Sequence, residues 1–345
     1  MWHPIKKRVD IQTQTADSDQ VIDNCWVAVG LAKEYMIQQD TTWLPNGEAS
    51  YRFELRKGDN TLGGFYPGEK VARAELSYCY ASSQDYKDEV SFLDACRRKT
   101  VHYAGKGICH QGERRSYTFR IFIPKEMNPE ADVIFAQWHG MPTRTLLADT
   151  KGRYYRPGDA GYEDAEKRII FRKGIGYEGG KLNGWTADHG GCPVMAFGFS
   201  EGYFYIKANS DRKWLTDTKE HCDVDVATGI VMQPVRTCFK SSTLACKVPW
   251  NKFPKDVWVT FKTDVAWATY GKEQNTLKRP GQLSVIMEWE ENARKIVYHL
   301  VKKCLIEVGR NDEDGYYFKC GAYRQSGNDI PVSYYISGYQ ENEKE

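Results

Sequence analysis

The sequence predicts an all-β fold, a sandwich or β-jelly roll of antiparallel strands. Polar and apolar residues alternate with a period of two in run after run, and aromatics make up 13% of the 345 residues. Glycine or Asn-Gly steps separate the runs. Alternation sends successive side chains to opposite faces, so one face can meet a core and the other water. Many short runs with this punctuation belong to sandwiches and jelly rolls.

The elements follow in order. "SYRFELR" (50–56) points Tyr51, Phe53 and Leu55 one way and Arg52, Glu54 and Arg56 the other. Residues 86–98, "YKDEVSFLDACRR", place Val90, Phe92, Leu93 and Cys96 at helical spacing and predict a short surface helix. "SYTFRIFIP" returns to alternation with Tyr117, Phe119, Ile121 and Ile123, and "FAQWHGMPTRTL" (135–146) ends an apolar run on His139. Residues 145–187 are rich in Gly, Lys, Arg and Glu and show little alternation. They predict a small insertion with a helix over 162–173. "GYFYIKAN", "DVWVTFKTDVAW", "GYYFKCGAYR" and "PVSYYISGY" predict the remaining strands.

A chain of this length can bury a full core. At 41% hydrophobic and 27% charged residues, its composition is that of a globular protein. No run of about 18 apolar residues occurs, so no membrane span is expected. The first residues, "MWHPIKKRVDIQTQ", carry no apolar leader. A net charge of +2 argues against a uniformly basic surface, so a polyanion would have to be held by a local cluster. Ten cysteines without a C-x-x-C pair fit neither a zinc finger nor a disulfide scaffold; buried free thiols are expected for most, and an oxidising compartment could pair a few.

Phosphate loops, dinucleotide fingerprints and nucleophile elbows are absent, and "GIGYEGG" (174–180) lacks the flanking strand and helix such loops need. What remains is a set of polar residues within aromatic strands. Arg73 alternates with apolar neighbours in "GEKVARAELSY". Lys319 and Tyr323 are four residues apart and face one side of a regular strand. With His139 they would give one sheet face a cation, a phenol and an imidazole, a set suited to an anionic sugar. Each also has an ordinary structural explanation: a salt bridge for Arg73, solvation for Lys319, an aromatic cross-strand pair for Tyr323, packing for His139.

Nine segments, in order from about residue 9 to 340, carry a family resemblance: "YRFEL", "LSYCYA", "GKGIC", "RSYTF", "IFAQWHGMP", "FGFSEGYFYIKANSDRKWLTD", "FPKDVWVTF", "GRNDEDGYYFKCGAYR" and "SGY". The chain resembles bacterial heparin lyases of the heparinase I type. The resemblance implies a jelly roll over 1–144 and 188–345 with a concave substrate groove, and a thumb insertion over 145–187. It implies β-elimination across the 1,4 bond between sulfated glucosamine and a uronic acid, typically 2-O-sulfated iduronate. His139 of "QWHG" would be the base and Tyr323 of "GAYR" the acid on the leaving oxygen. Lys319 and Arg73 would hold sulfate or carboxylate. Gln12 of "RVDIQ" would neutralise the carboxylate, with Gln14, two residues on and facing the same way, as the alternative. Cys109 of "GKGIC" also matches, as a groove-side or buried residue.

The resemblance further implies a structural Ca²⁺ held by Asp188 of "NGWTADHGG", the Trp214 carbonyl, Asn311 and Asp312. Hard oxygen ligands suit that ion, although "RNDEDG" taken alone reads more often as a solvated turn. Expected partners are heparin or heparan sulfate, with neither nucleic acid nor membrane. The protein is expected to be a monomer, periplasmic or secreted. Two rival readings stand beside this one: a non-catalytic glycosaminoglycan-binding jelly roll, and a lyase for another acidic polysaccharide. Binding alone needs cations and aromatics, whereas a proton-transfer pair such as His139 and Tyr323 favours catalysis.

Overall fold

Each of the alternating runs forms a strand, and the strands pair into two large sheets. The structure is a computed structural model that describes residues 20–23, 26–29, 33–40, 50–63, 70–78, 109–140, 147–148, 154–155, 177–178, 181–182, 193–212, 222–224, 231–234, 241–271, 276–311, 315–325 and 327–344. The labelled strands in chain order begin with β1 (Gln20–Asp23), β2 (Trp26–Val29), β3 (Ile37–Asp40), β4 (Ser50–Leu55) and β5 (Lys70–Tyr78). Next come β6 (Arg114–Phe122), β7 (Val133–Gly140), β8 (Pro193–Ser200), β9 (Tyr203–Asp211), β10 (Ser241–Pro249) and β11 (Trp258–Ala266). The last are β12 (Gly281–Glu291), β13 (Arg294–Ile306), β14 (Gly309–Arg310), β15 (Tyr316–Arg324) and β16 (Val332–Lys344).

Among the described residues one sheet has ten strands. Its path is β1-β2-β5-β15-β7-β8-β9-β10, with Leu62–Gly63 paired to β5 and β14 parallel to the end of β9. The other has seven, β13-β12-β11-β6-β16-β4-β3, all antiparallel. Their inner faces stack, which gives the all-β jelly-roll architecture expected from the alternation. Among the described residues the helical segments are two three-residue 3-10 turns, Glu34–Met36 and Trp250–Lys252. The helices expected over 86–98 and 162–173 lie outside the described residues. Within 145–187 the described residues form two short ladders, Leu147–Ala148 with Tyr154–Tyr155 and Tyr177–Glu178 with Lys181–Leu182.

Aromatic packing joins the sheets. Phe119 of β6 meets Phe135 and Trp138 of β7, Phe197 of β8 and Phe318 of β15, with ring centroids 5.5–6.5 Å apart. All five are buried. Fully burying one such side chain contributes about 1.5–3 kcal/mol, which is why the aromatic-rich runs become the centre of the sandwich. Tight hairpins keep the register. β8 and β9 are joined through Glu201 and Gly202, both at positive φ (51° and 73°). Asn292 and Ala293 do the same between β12 and β13 at 51° and 59°. Two positive φ values make a turn whose twist matches that of the strands it joins.

Candidate active site

Alternation sends Trp138 of "QWHG" into the core, so Gln137 and His139 face outward on β7. Cross-strand partners share a face, and the register of β15 places Tyr317 opposite His139, and Lys319 opposite both Gln137 and Ser77. On the far side, β5 sets Arg73 opposite Tyr323 and Glu75 opposite Gly321. Three adjacent strands therefore place Arg73, Glu75, Gln137, His139, Tyr317, Lys319 and Tyr323 on the outer face of the ten-stranded sheet. This is the sharing of a face that the spacing of Lys319 and Tyr323 predicts.

The strand carrying that pair is regular against β5 but not against β7. Its register shifts between Cys320 and Tyr323. The cause sits at Gly321, whose φ of +139° is a conformation that side-chain-bearing residues rarely adopt.

At the centre lies Glu75, a residue the sequence reading passed over. It is 1% exposed. Lys319 Nζ donates to its Oε2 at 2.9 Å, Arg73 Nε lies 3.2 Å from the same oxygen, and Gln137 Nε2 donates to Oε1. Lys319 is thus not a solvated lysine; it is 4% exposed and paired with a buried carboxylate. Removing one partner from such a pair costs about 3–5 kcal/mol, because the other is left charged in a poor solvent. The Arg73 side chain stays 33% exposed and lies over the Tyr323 ring at 4.7 Å. Burial works to lower the Arg73 pKa, but Glu75 and the phenols of Tyr323 and Tyr317 outweigh it and leave the pKa raised. The salt bridge expected of Arg73 on structural grounds is present, and the same side chain stays partly exposed.

His139 is half-buried near the end of β7, its ring 5.6 Å from that of Tyr317. Tyr323 pairs instead with Ile134, five residues back along β7, which is roughly 17 Å at about 3.4 Å per residue. The structure therefore sets Tyr317 beside the imidazole and Tyr323 beside Arg73. Two signals in the sequence point to what was passed over. Glu75 lies two residues after Arg73, and Gln137 two before His139, each at the spacing that shares a strand face.

Cys109 is buried, and its backbone pairs with Tyr316. Burial drives its thiol pKa far up, so it is no nucleophile at neutral pH. Cys246, Cys304 and Cys320 are free thiols as well. Gln12, Gln14, Asp188, Trp214 and Asp312 lie outside the described residues. Asn311 is 1% exposed, which excludes a solvated turn at that residue. Its amide Nδ2 donates to the carbonyls of Arg212 (2.8 Å) and Gly271 (3.1 Å). Its Oδ1 is a hard donor of the kind Ca²⁺ takes. Among the described residues no cluster of three or more His, Cys, Asp and Glu side chains could hold a metal.

The fold is of the jelly-roll class, and an outer sheet face with an imidazole, phenols and paired cations is suited to an anionic sugar. A family model described as polysaccharide lyase matches residues 12–340, and the chain belongs to that family. It is 45% identical over 353 residues to heparin lyase I of Pedobacter heparinus, covering 98% of this chain and 92% of the relative. Among solved structures, alginate lyase A1-II′ of polysaccharide lyase family 7 overlaps 91% of this chain and 86% of its own, at 11% identity and a TM-score of 0.36. Alginate lyase vAL-1 from Chlorella virus overlaps 90% of each chain, at 12% identity and a TM-score of 0.32. The protein is a polysaccharide lyase.

Proposed function

We propose that the substrate is heparin and highly sulfated heparan sulfate, cut endo-eliminatively at the 1,4 bond between sulfated glucosamine and (2-O-sulfated) uronic acid. The near full-length similarity to heparin lyase I carries this reading. In the reaction His139 takes the C5 proton, the electron pair forms the C4–C5 double bond, and the C4–O4 bond breaks. Tyr323 gives its proton to the departing O4, leaving a 4,5-unsaturated uronate end. The C5 proton is weakly acidic until the neighbouring carboxylate is neutralised, the role assigned to Gln12, and preorganised donors must meet the charge that develops. Arg73 and Lys319 supply the positive field that holds the anionic sugar. The enzyme acts as a monomer in the periplasm or outside the cell, with 145–187 as a thumb beside the groove. Incubation with heparin, heparan sulfate and alginate, followed by ultraviolet absorbance of the new double bond, tests the assignment. Turnover of alginate alone would refute it.

One observation favours a second assignment of the acid. Tyr317 directly faces His139, whereas Tyr323 stands farther along the strand. Tyr323→Phe and Tyr317→Phe separate the two, since each keeps its ring and loses only the hydroxyl. If Tyr323 is the acid, its variant should lose about 10²- to 10⁴-fold in rate and the Tyr317 variant far less. The reverse order would move the acid to Tyr317.

Binding should weaken steeply with salt, because each neutralised polyanion charge releases counterions, by analogy with nucleic acids. The same sheet face carries Lys207 of β9, 4.7 Å over the Tyr205 ring, and Lys247 of β10, 3.8 Å over the Tyr203 ring. A Lys207→Gln/Lys247→Gln variant should bind a long heparin chain with a shallower salt dependence. An unchanged slope would remove these lysines from the substrate path.

Calcium is proposed as a structural ion held by Asp188, the Trp214 carbonyl, Asn311 and Asp312. The contact of Asn311 with Arg212, two residues before Trp214, supports that grouping. Calcium should raise the melting temperature, because it would bind the folded state alone, and a chelator should lower both melting temperature and rate. No change in either would refute the site.

A further inference from the structure

We propose that Glu75 is a positioning residue of this site: one buried carboxylate that fixes where Arg73, Lys319 and Gln137 sit relative to the substrate. The inference rests on reading this face as the substrate site. Glu75 lies on the middle strand position between Arg73 and Ser77, all three facing outward, and it faces Gly321 across the pair. With no side chain on Gly321, its carboxylate can reach across β15 to Lys319, and on to Gln137 of β7. One oxygen takes both cations, Lys319 at 2.9 Å and Arg73 at 3.2 Å, and the other takes the Gln137 amide.

Those contacts sort the two cations. Lys319, at 4% exposure, is held below the surface with its charge met by Glu75. Arg73 meets Glu75 as an ion pair, its Nε 3.2 Å from Oε2, while the carbon of its guanidinium lies 4.7 Å over the Tyr323 ring. A guanidinium is a planar fork, and the Glu75 carboxylate on one side and the Tyr323 ring on the other set where it lies. Two cations against one carboxylate also leave one positive charge unbalanced among the three, and Arg73, with its side chain 33% exposed, is where an anionic sugar can meet it. Glu75 itself, 1% exposed, acts through these neighbours and not on the sugar.

The test uses two variants of the full chain, Glu75→Gln and the exchange Glu75→Gln/Gln137→Glu. The single variant keeps the shape and loses the charge, so melting temperature should fall and KM for heparin should rise about tenfold or more, equivalent to about 1.4 kcal/mol or more of lost binding. The exchange returns a carboxylate to the same cluster from β7. It again faces Lys319, which is its cross-strand partner, but it stands two strands away from Arg73. Melting temperature should therefore recover while KM stays high. Recovery of both would show that Glu75 only balances charge, and a normal KM in the single variant would overturn the proposal outright. Should neither chain fold, Arg73→Lys in the wild-type background decides the matter. It keeps the charge but loses the planar fork that lies between Glu75 and the Tyr323 ring, so KM should rise, and an unchanged KM would overturn the proposal. Wild-type turnover separates the two levels: no cleavage of heparin by the wild type refutes the substrate assignment, whereas failure of Glu75 leaves that turnover intact.

Discussion

Replacing His139 with alanine should slow elimination by about 10²- to 10⁴-fold while heparin still binds. The ring is half-buried and on the outer face, so its loss opens no cavity in the core, and melting temperature should change little. Its neighbour makes the control. Trp138 is fully buried among Tyr117, Phe197 and Phe318, and Trp138→Ala should cost about 3–5 kcal/mol of stability. The two substitutions, one residue apart, should thus separate cleanly into a rate effect and a stability effect. Initial rates, heparin affinity and thermal melts on the pair check this. Near-normal turnover by the His139 variant would remove the imidazole from the reaction.

Gly321→Ala should destabilise the protein by about 2–6 kcal/mol, joining the strain of a positive φ to the crowding of a packed position. A Cβ there would lie 2.3 Å from the Ala74 carbonyl oxygen and 2.6 Å from the Glu75 Cα. Both are backbone atoms of β5, which cannot turn aside as a flexible side chain would. Either β15 moves away from β5 or the pairing opens, and both outcomes shift Lys319 and Tyr323 relative to Arg73. Activity should fall further than the loss of folded protein explains. Denaturant unfolding and rates per folded molecule would show it. A variant as stable as the wild type would mean that the two strands do not approach so closely.

The strands were legible because alternation is a local signal. "SYRFELR" states which of its residues face inward, and Tyr51, Phe53 and Leu55 are all buried. The same rule placed His139 and Lys319 with Tyr323 on one sheet face, before any partner strand was known. Motifs carried the family, since "QWHG" and "YYFKCGAYR" stand as contiguous words. Sequence spacing also set Lys319 and Tyr323 on one face.

Pairing between strands was beyond reach of that local signal. Glu75, Gln137 and Lys319 are 62 and 182 residues apart in succession, and nothing along the chain says that β15 inserts between β5 and β7. Lys319 read alone is a solvated lysine, and only a carboxylate from β5 makes it a buried one. The irregularity at Gly321 likewise depends on how closely β5 approaches, and the register of β15 on β7 alone sets Tyr317, not Tyr323, beside His139. By itself the sequence determined which residues face outward, because a strand's two faces are a property of its own backbone. Which of those residues touch was decided by the tertiary structure alone, because contact energies and burial depend on the register of strands that the chain brings together from far apart.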